Sequence, residues 1–164
     1  MALHWANDPV GQIIQSARAL QPDGLFQAVC LGGQTLNELR ICLAQAESEV
    51  TGGLSPRIAP MGEIRDLGAL LQRAGLALPV ADNITVRTSY KDAFHLMHDL
   101  RNFGETNALN ARLRHPTKRA IFDRCAEIYA KTFAEDGKII ATFEFLFLSG
   151  WAPSADQPKP LRPG

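Results

Sequence analysis

Apolar residues recur at helical spacing from the start of the chain: Val10, Ile13, Ile14, Ala17 and Leu20 form one stripe, which predicts an amphipathic helix. Asp8 suits its N-cap, and Pro9 suits the first helical position, where a missing N–H costs no intrahelical bond. Gln21-Pro22-Asp23-Gly24 then supplies turn chemistry. Leu25 to Leu31 is a nearly continuous apolar run, which predicts a strand covered on both faces, as in a parallel sheet flanked by helices. Thr35-Leu36-Asn37-Glu38 has the spacing of a capping box, so a helix carrying Leu36, Leu39, Leu43, Ala46 and Val50 is expected next. Helix, tight turn and buried strand together predict an α/β fold.

Thr51 to Pro60 gathers glycines, prolines and a serine between periodic segments and predicts a mobile surface loop. Ile64, Leu67, Leu70, Leu71 and Ala74 mark another helix, stopped by Gly75. Asn83 to Thr88 alternates, with Ile84 and Val86 on one face and Thr85 and Arg87 on the other, and predicts a half-exposed strand. Ser89-Tyr90-Lys91-Asp92 repeats the capping-box pattern before a helix carrying Phe94, Met97 and Leu100 as far as Gly104. A long helix is expected from Thr117 to Phe133, with Ile121, Cys125, Ile128, Tyr129 and Phe133 on its apolar side and Asp136-Gly137 as its stop. In the final strand, Ile139 to Leu148, Phe143, Phe145 and Phe147 alternate with Leu146 and Leu148, so it belongs inside a sheet. Glu144 within it needs either an edge or a cation such as Arg87. Prolines 153, 158, 160 and 163 predict an extended or disordered tail. The domain reading is one partial domain over 1–152, with a helical insertion at 89–136, and a Pro-rich tail at 153–164.

Composition narrows the partners. Seventeen basic residues balance seventeen acidic ones, so no net field favours nucleic acid or an anionic membrane. Cys30, Cys42 and Cys125 are odd in number, far apart and set in apolar stretches, as expected of reduced thiols in a cytoplasmic core. No apolar run approaches the roughly 20 residues of a membrane-spanning helix. His95 and His98 share one helix face but lack a third ligand in any recognisable pattern, so no metal is expected. Arg112, Arg114, His115, Lys118 and Arg119 form a basic patch without interleaved aromatics, which reads as a solvated helix start.

The stretch Ala17-Arg18-Ala19-Leu20-Gln21-Pro22-Asp23-Gly24 before a buried strand resembles the R-x-L-x-P-x-G segment ahead of strand five in class I S-adenosylmethionine-dependent methyltransferases. Leu3-His4-Trp5, Gly32 to Arg40, Gly104-Glu105-Thr106-Asn107-Ala108 and Gly150-Trp151-Ala152-Pro153 narrow the likeness to a bacterial branch. That branch is similar to the malonyl-carrier-protein methyltransferase of biotin synthesis and to the mitochondrial complex I assembly factor of methyltransferase fold. The resemblance implies the C-terminal part of a Rossmann-like methyltransferase fold, strands five to seven with flanking and inserted helices. It also implies that the N-terminal cofactor-binding half is absent and that Met1 is an internal methionine. Gly32-Gly33 follows strand five in this likeness and lacks a spaced third glycine, so it reads as a tight turn rather than a nucleotide loop.

Further implications are residue by residue. His4, Trp5, Asn7 and Asp8 fall after strand four and form a partial wall for S-adenosylmethionine, the family cofactor, which this chain alone is expected not to bind. His4 either orients or deprotonates an acceptor or fills space as an aromatic; Trp5 either contacts a ligand or staples the helix capped by Asp8. Thr35 follows strand five and is by this resemblance a candidate substrate contact. Arg101 and Arg112 are candidate anchors for a carboxylate, because guanidinium pairs with it through two parallel hydrogen bonds. Glu105 and Asn107 shape the pocket or cap the next helix. The implied acceptor is a small or carrier-bound acid, or a protein in the assembly-factor alternative. Catalysis by the isolated chain is not expected. Self-association through an exposed sheet edge is.

Overall fold

The computed structural model describes residues 3–158; the expectations for Met1 and for prolines 160 and 163 lie outside them. A 3-10 turn, Leu3–Trp5, precedes α1 (Pro9–Ala19), β1 (Leu25–Leu31), α2 (Asn37–Thr51), α3 (Ile64–Arg73), β2 (Ala77–Tyr90), α4 (Ala93–Asn102), α5 (Arg119–Thr132), β3 (Ala134–Glu135) and β4 (Lys138–Trp151). The sheet order is β1-β4-β2, with β3 also paired to β4. The last strand is therefore internal, as its two apolar faces require. No helix among the described residues is long and apolar enough to cross a membrane.

Two compact units share the chain. Among the described residues the first comprises 3–32, 62–84 and 145–158, the second 33–61 and 85–144. The core of the first gathers Ile13 from α1, Leu67 and Leu71 from α3, Cys30 from β1, and Leu146 and Leu148 from β4. In α1, Asp8 accepts a hydrogen bond from the Gly11 N–H at 2.8 Å, with Pro9 in the first turn. Of the predicted α1 stripe only Ile13 is fully buried. β1 runs antiparallel to β4 from Leu25↔Trp151 to Leu31↔Phe145. This corrects the expectation of a parallel strand covered on both faces: Leu25 is 46% exposed and burial is complete only at Cys30 and Leu31. Antiparallel pairing can leave part of a strand to water. The start of the tail is not free, because Ala152 N–H donates to Gly24 O at 2.8 Å and Gln157 Nε2 donates to Asp23 Oδ1 at 2.8 Å.

In the second unit α2 and α5 pack their apolar sides together. Leu39, Cys42, Leu43 and Ala46 meet Ile121, Cys125, Ile128 and Tyr129, joined by Leu96 and Leu100 of α4 and by Ile139 and Ala141 of β4. Burial pushes the thiols up, Cys42 to about 11 and Cys125 to about 12, so neither is a nucleophile at neutral pH. Tyr129 donates its hydroxyl to Ile140 O at 2.8 Å, which satisfies the polar tip of a fully buried ring.

Three boundaries differ from expectation. β2 begins at Ala77 rather than Asn83 and contains Pro79; as the last strand in the sheet order it can hold a residue without an N–H. Between Asp82 and Arg87 both of its faces are exposed, so it is not half-buried there. The cap of α4 is Asp92, whose carboxylate accepts from His95 N–H at 2.9 Å, and not Ser89, which lies within β2. Asp136-Gly137 is a hairpin turn between Glu135 and Lys138, with φ of 49° and 75°, the left-handed pair that a two-residue hairpin needs.

Candidate functional site

The turn after β1 is built around a polar exchange with β4. Thr35 is 0% exposed. Its hydroxyl accepts from Glu144 N–H at 3.1 Å and donates to Glu144 O at 3.2 Å. One residue on, Leu36 N–H donates to Thr142 O at 2.7 Å. Glu38 accepts from Thr142 N–H at 3.1 Å and from the Thr142 hydroxyl. Residues 35–38 thus satisfy the N–H and C=O of both Thr142 and Glu144, groups that would otherwise need a neighbouring strand.

This arrangement corrects the capping-box expectation. The N-cap of α2 is Leu36, with no side-chain cap, because Thr35 and Glu38 spend their oxygens on β4. Leu36 sits at φ 55°, in the left-handed region, while neither Gly32 nor Gly33 has positive φ. A bulky residue held there stores backbone strain. Gly32-Gly33 opens a turn, as expected. Glu144 is 4% exposed and its carboxylate accepts from Gln34 N–H at 3.0 Å. Arg87, the example of a cation for Glu144, pairs with Glu135 at the surface.

The remaining predicted residues divide between the units. In the first, His4 is half-buried and its ring lies 5.5 Å from that of Trp5 at 46°, with Trp5 38% exposed. Asn7 is exposed; Asp8 is engaged as the α1 cap. The His4 and Trp5 rings are tilted against each other. A cleft of about 280 Å³ between α3 and β2, lined by Ile64, Leu71 and Ala81 among others, contains none of the predicted residues.

In the second unit, Arg101 is exposed in the last turn of α4, and Glu105 is half-buried. The backbone of Leu109 joins two other candidates: Asn107 Oδ1 accepts its N–H at 3.2 Å, and Arg112 Nη1 donates to its carbonyl at 3.0 Å. His95 pairs with Asp92 through Nδ1 at 2.9 Å. Among the described residues no group of three or more His, Cys, Asp or Glu is arranged to hold a metal.

Sequence reading missed Glu47 and Arg57. Arg57 donates Nε and Nη2 to the Glu47 carboxylate at 2.9 and 2.6 Å, where the two side chains are 14% and 4% exposed. This bidentate pair turns the expected mobile loop 51–60 into an anchored one. A signal was present: Glu47 follows Leu43 by four residues on the buried stripe of α2, where a carboxylate demands a partner.

No family model matches the chain. It is 39% identical over 166 residues to a Dictyostelium discoideum protein named mitochondrial arginine-hydroxylase NDUFAF5, covering 100% of this chain and 38% of that protein. The human protein of that name is 37% identical, again over 100% of this chain and 48% of its own length. The malonyl-[acyl-carrier protein] O-methyltransferase of Methylovorus sp. is 33% identical over 94% of this chain and 50% of its own length. The chain therefore spans about half, or less, of the curated relatives it matches. Among solved structures, a proposed methyltransferase from Bacillus halodurans aligns with a TM-score of 0.53 at 14% identity over 94% of this chain and 67% of that one, and Bacillus subtilis YcgJ aligns at 0.52. The chain is part of an α/β methyltransferase fold, homologous to the NDUFAF5 arginine-hydroxylases and the malonyl-[acyl-carrier protein] O-methyltransferases of the S-adenosylmethionine-dependent methyltransferase family.

Proposed function

We propose that this chain forms the substrate-facing part of a methyltransferase-fold protein that modifies an arginine side chain of a protein partner. The observation that carries this reading is the similarity to NDUFAF5 arginine-hydroxylases along the whole chain, at 39% and 37% identity, against 33% for the Methylovorus carrier-protein methyltransferase. Glu105 is the carboxylate among the candidate substrate contacts of the second unit, and a guanidinium takes such a group through paired hydrogen bonds. S-adenosylmethionine is the proposed cofactor of the whole protein, with Trp5 and His4 contributing one side of its pocket. The buried free thiols fit a reducing compartment, and the proposed location is the cytoplasm.

The second reading is methyl transfer to a carrier-bound acid, supported by the similarity to malonyl-[acyl-carrier protein] O-methyltransferases. Arg101 and Arg112 then hold the acceptor carboxylate, which is already ionised and needs only alignment toward a good leaving group. Mass spectrometry separates the two when full-length protein is incubated with S-adenosylmethionine and the carrier-bound acid, as methyl donor and acceptor, or with the protein substrate together with dioxygen and a two-electron reductant, so that one oxygen atom enters arginine and the other leaves as water. A gain of one oxygen on an arginine, weakened by Glu105→Gln, supports the first. A gain of one methylene on a carrier-bound acid, with KM raised by Arg101→Ala, replaces it with the second.

The isolated chain is expected to self-associate through β1. Its outer edge has no strand partner among the described residues, and its sequence carries neither proline nor charge to blunt that edge, whereas β2 has Pro79, Asp82 and Arg87. Light scattering after size exclusion should show mass rising with concentration, and Gln27→Pro should abolish the rise. A monomer at all concentrations contradicts this.

A further inference from the structure

The stretch 55–57 bonds in two directions. Toward α2, Ser55 N–H donates to Glu47 Oε2 at 3.0 Å, the Ser55 hydroxyl reaches both carboxylate oxygens at 2.7 and 2.8 Å, and Arg57 completes the set. Away from α2, Arg57 Nη1 donates to Thr117 Oγ1 at 3.0 Å. Pro56 O accepts from Asn107 Nδ2 at 2.9 Å. Asn107 and Thr117 stand near the start and end of the connection between α4 and α5, residues 103–118, which carries Glu105 and Arg112.

A buried ion pair is a costly way to hold a helix, since apolar residues of similar size often do so as well or better. Hydrogen bonds add direction, which apolar contact lacks. Here that direction leads from a rigid helix, through one short stretch, to both ends of a connection that otherwise has no regular structure. Asn107 spends its Oδ1 on Leu109 N–H and one Nδ2 bond on Pro56 O, so its contacts are to backbone.

We propose that Glu47, Ser55 and Arg57 form a clasp that sets the conformation of the 103–118 connection, with Arg57 and Asn107 as positioning residues for Glu105 and Arg112. The positioning of these two rests on the substrate-contact reading above; the ordering of the connection does not.

Hydrogen exchange of the full-length protein, read by mass spectrometry, tests the clasp. Thr117→Val removes one outer bond alone, and Asn107→Ala removes the other together with the local Asn107–Leu109 bond, both without touching the Glu47–Arg57 pair. Exchange in 103–118 is expected to rise roughly fivefold for each lost hydrogen bond, with α2 and α5 unchanged. KM in the assay above should rise while kcat stays, and Asn107→Gln should recover less than wild type because the longer amide misses Pro56. Unchanged exchange, or an equal rise through α2 and α5, refutes the clasp. Loosened exchange with unchanged KM refutes the positioning role. If the wild-type protein modifies neither substrate class, the functional reading fails, and exchange alone still decides the ordering.

Discussion

Arg57→Met is expected to cost about 3–5 kcal/mol of folding stability, because it removes the cation and leaves the Glu47 carboxylate buried with Ser55 alone. Burial by itself would push the Glu47 carboxyl up; hydrogen bonds from Arg57 and Ser55 and the charge of Arg57 outweigh it and hold the group below the usual carboxylate range. A carboxyl depressed in the folded state contributes stability above its unfolded pKa and loses it as pH falls through the folded value. The gap between wild type and Glu47→Gln should therefore be widest near neutral pH and shrink as the solution is acidified past the ordinary carboxylate range. Denaturant titration across that range measures it. The double variant Glu47→Leu with Arg57→Met should recover most of the loss, since a well-packed apolar pair replaces an ion pair at little net cost. A single-variant loss under about 1 kcal/mol would show that water already reaches the pair.

Thr35→Val is expected to destabilise the second unit by about 2–5 kcal/mol, although the two side chains have nearly the same shape. The hydroxyl serves both the N–H and the C=O of Glu144 at a site with no exposed surface. Each buried backbone group left unmet costs about 1–3 kcal/mol. Thr35→Ser keeps the hydroxyl and loses one methyl, so it should cost only about 1 kcal/mol. Urea unfolding of the three proteins separates these expectations: equal losses for valine and serine would place the effect in packing, not in hydrogen bonding. The same residue was a candidate substrate contact by resemblance. Its donor and acceptor are both engaged by β4, so in the proposed function it shapes the turn after β1.

Periodicity made the helices legible. The stripe Ile121, Cys125, Ile128 and Tyr129 is buried as a set, and α3 buries Leu67 and Leu71, because a helix facing a core must repeat near 3.6 residues. Aspartates 8 and 92 both cap helices, but for α4 the spacing Ser89 to Asp92 suggested the wrong one of its two ends. β2 kept the chain extended through Tyr90, which placed Ser89 in a ladder and left the cap to Asp92. Pro79 cannot donate to a ladder, yet a terminal strand has a side where no donor is needed.

The candidate site was less legible than the fold. His4 and Trp5 do meet, being adjacent in sequence, and Asn107 and Arg112 meet through Leu109. The Glu47–Arg57 pair and the Thr35–Glu144 exchange were not anticipated. The sequence by itself determined the positions of the helices, the apolar stripes and the likeness to methyltransferases, all properties of local spacing or of recognisable short stretches. Only the tertiary structure decided which polar groups answer one another. Thr35 and Glu144 are 109 positions apart and Glu38 and Thr142 are 104 apart. Hydrogen bonds over such separations have no period along the chain, and where a long-range partner competes with a local cap, burial of the backbone groups on β4 settles the outcome.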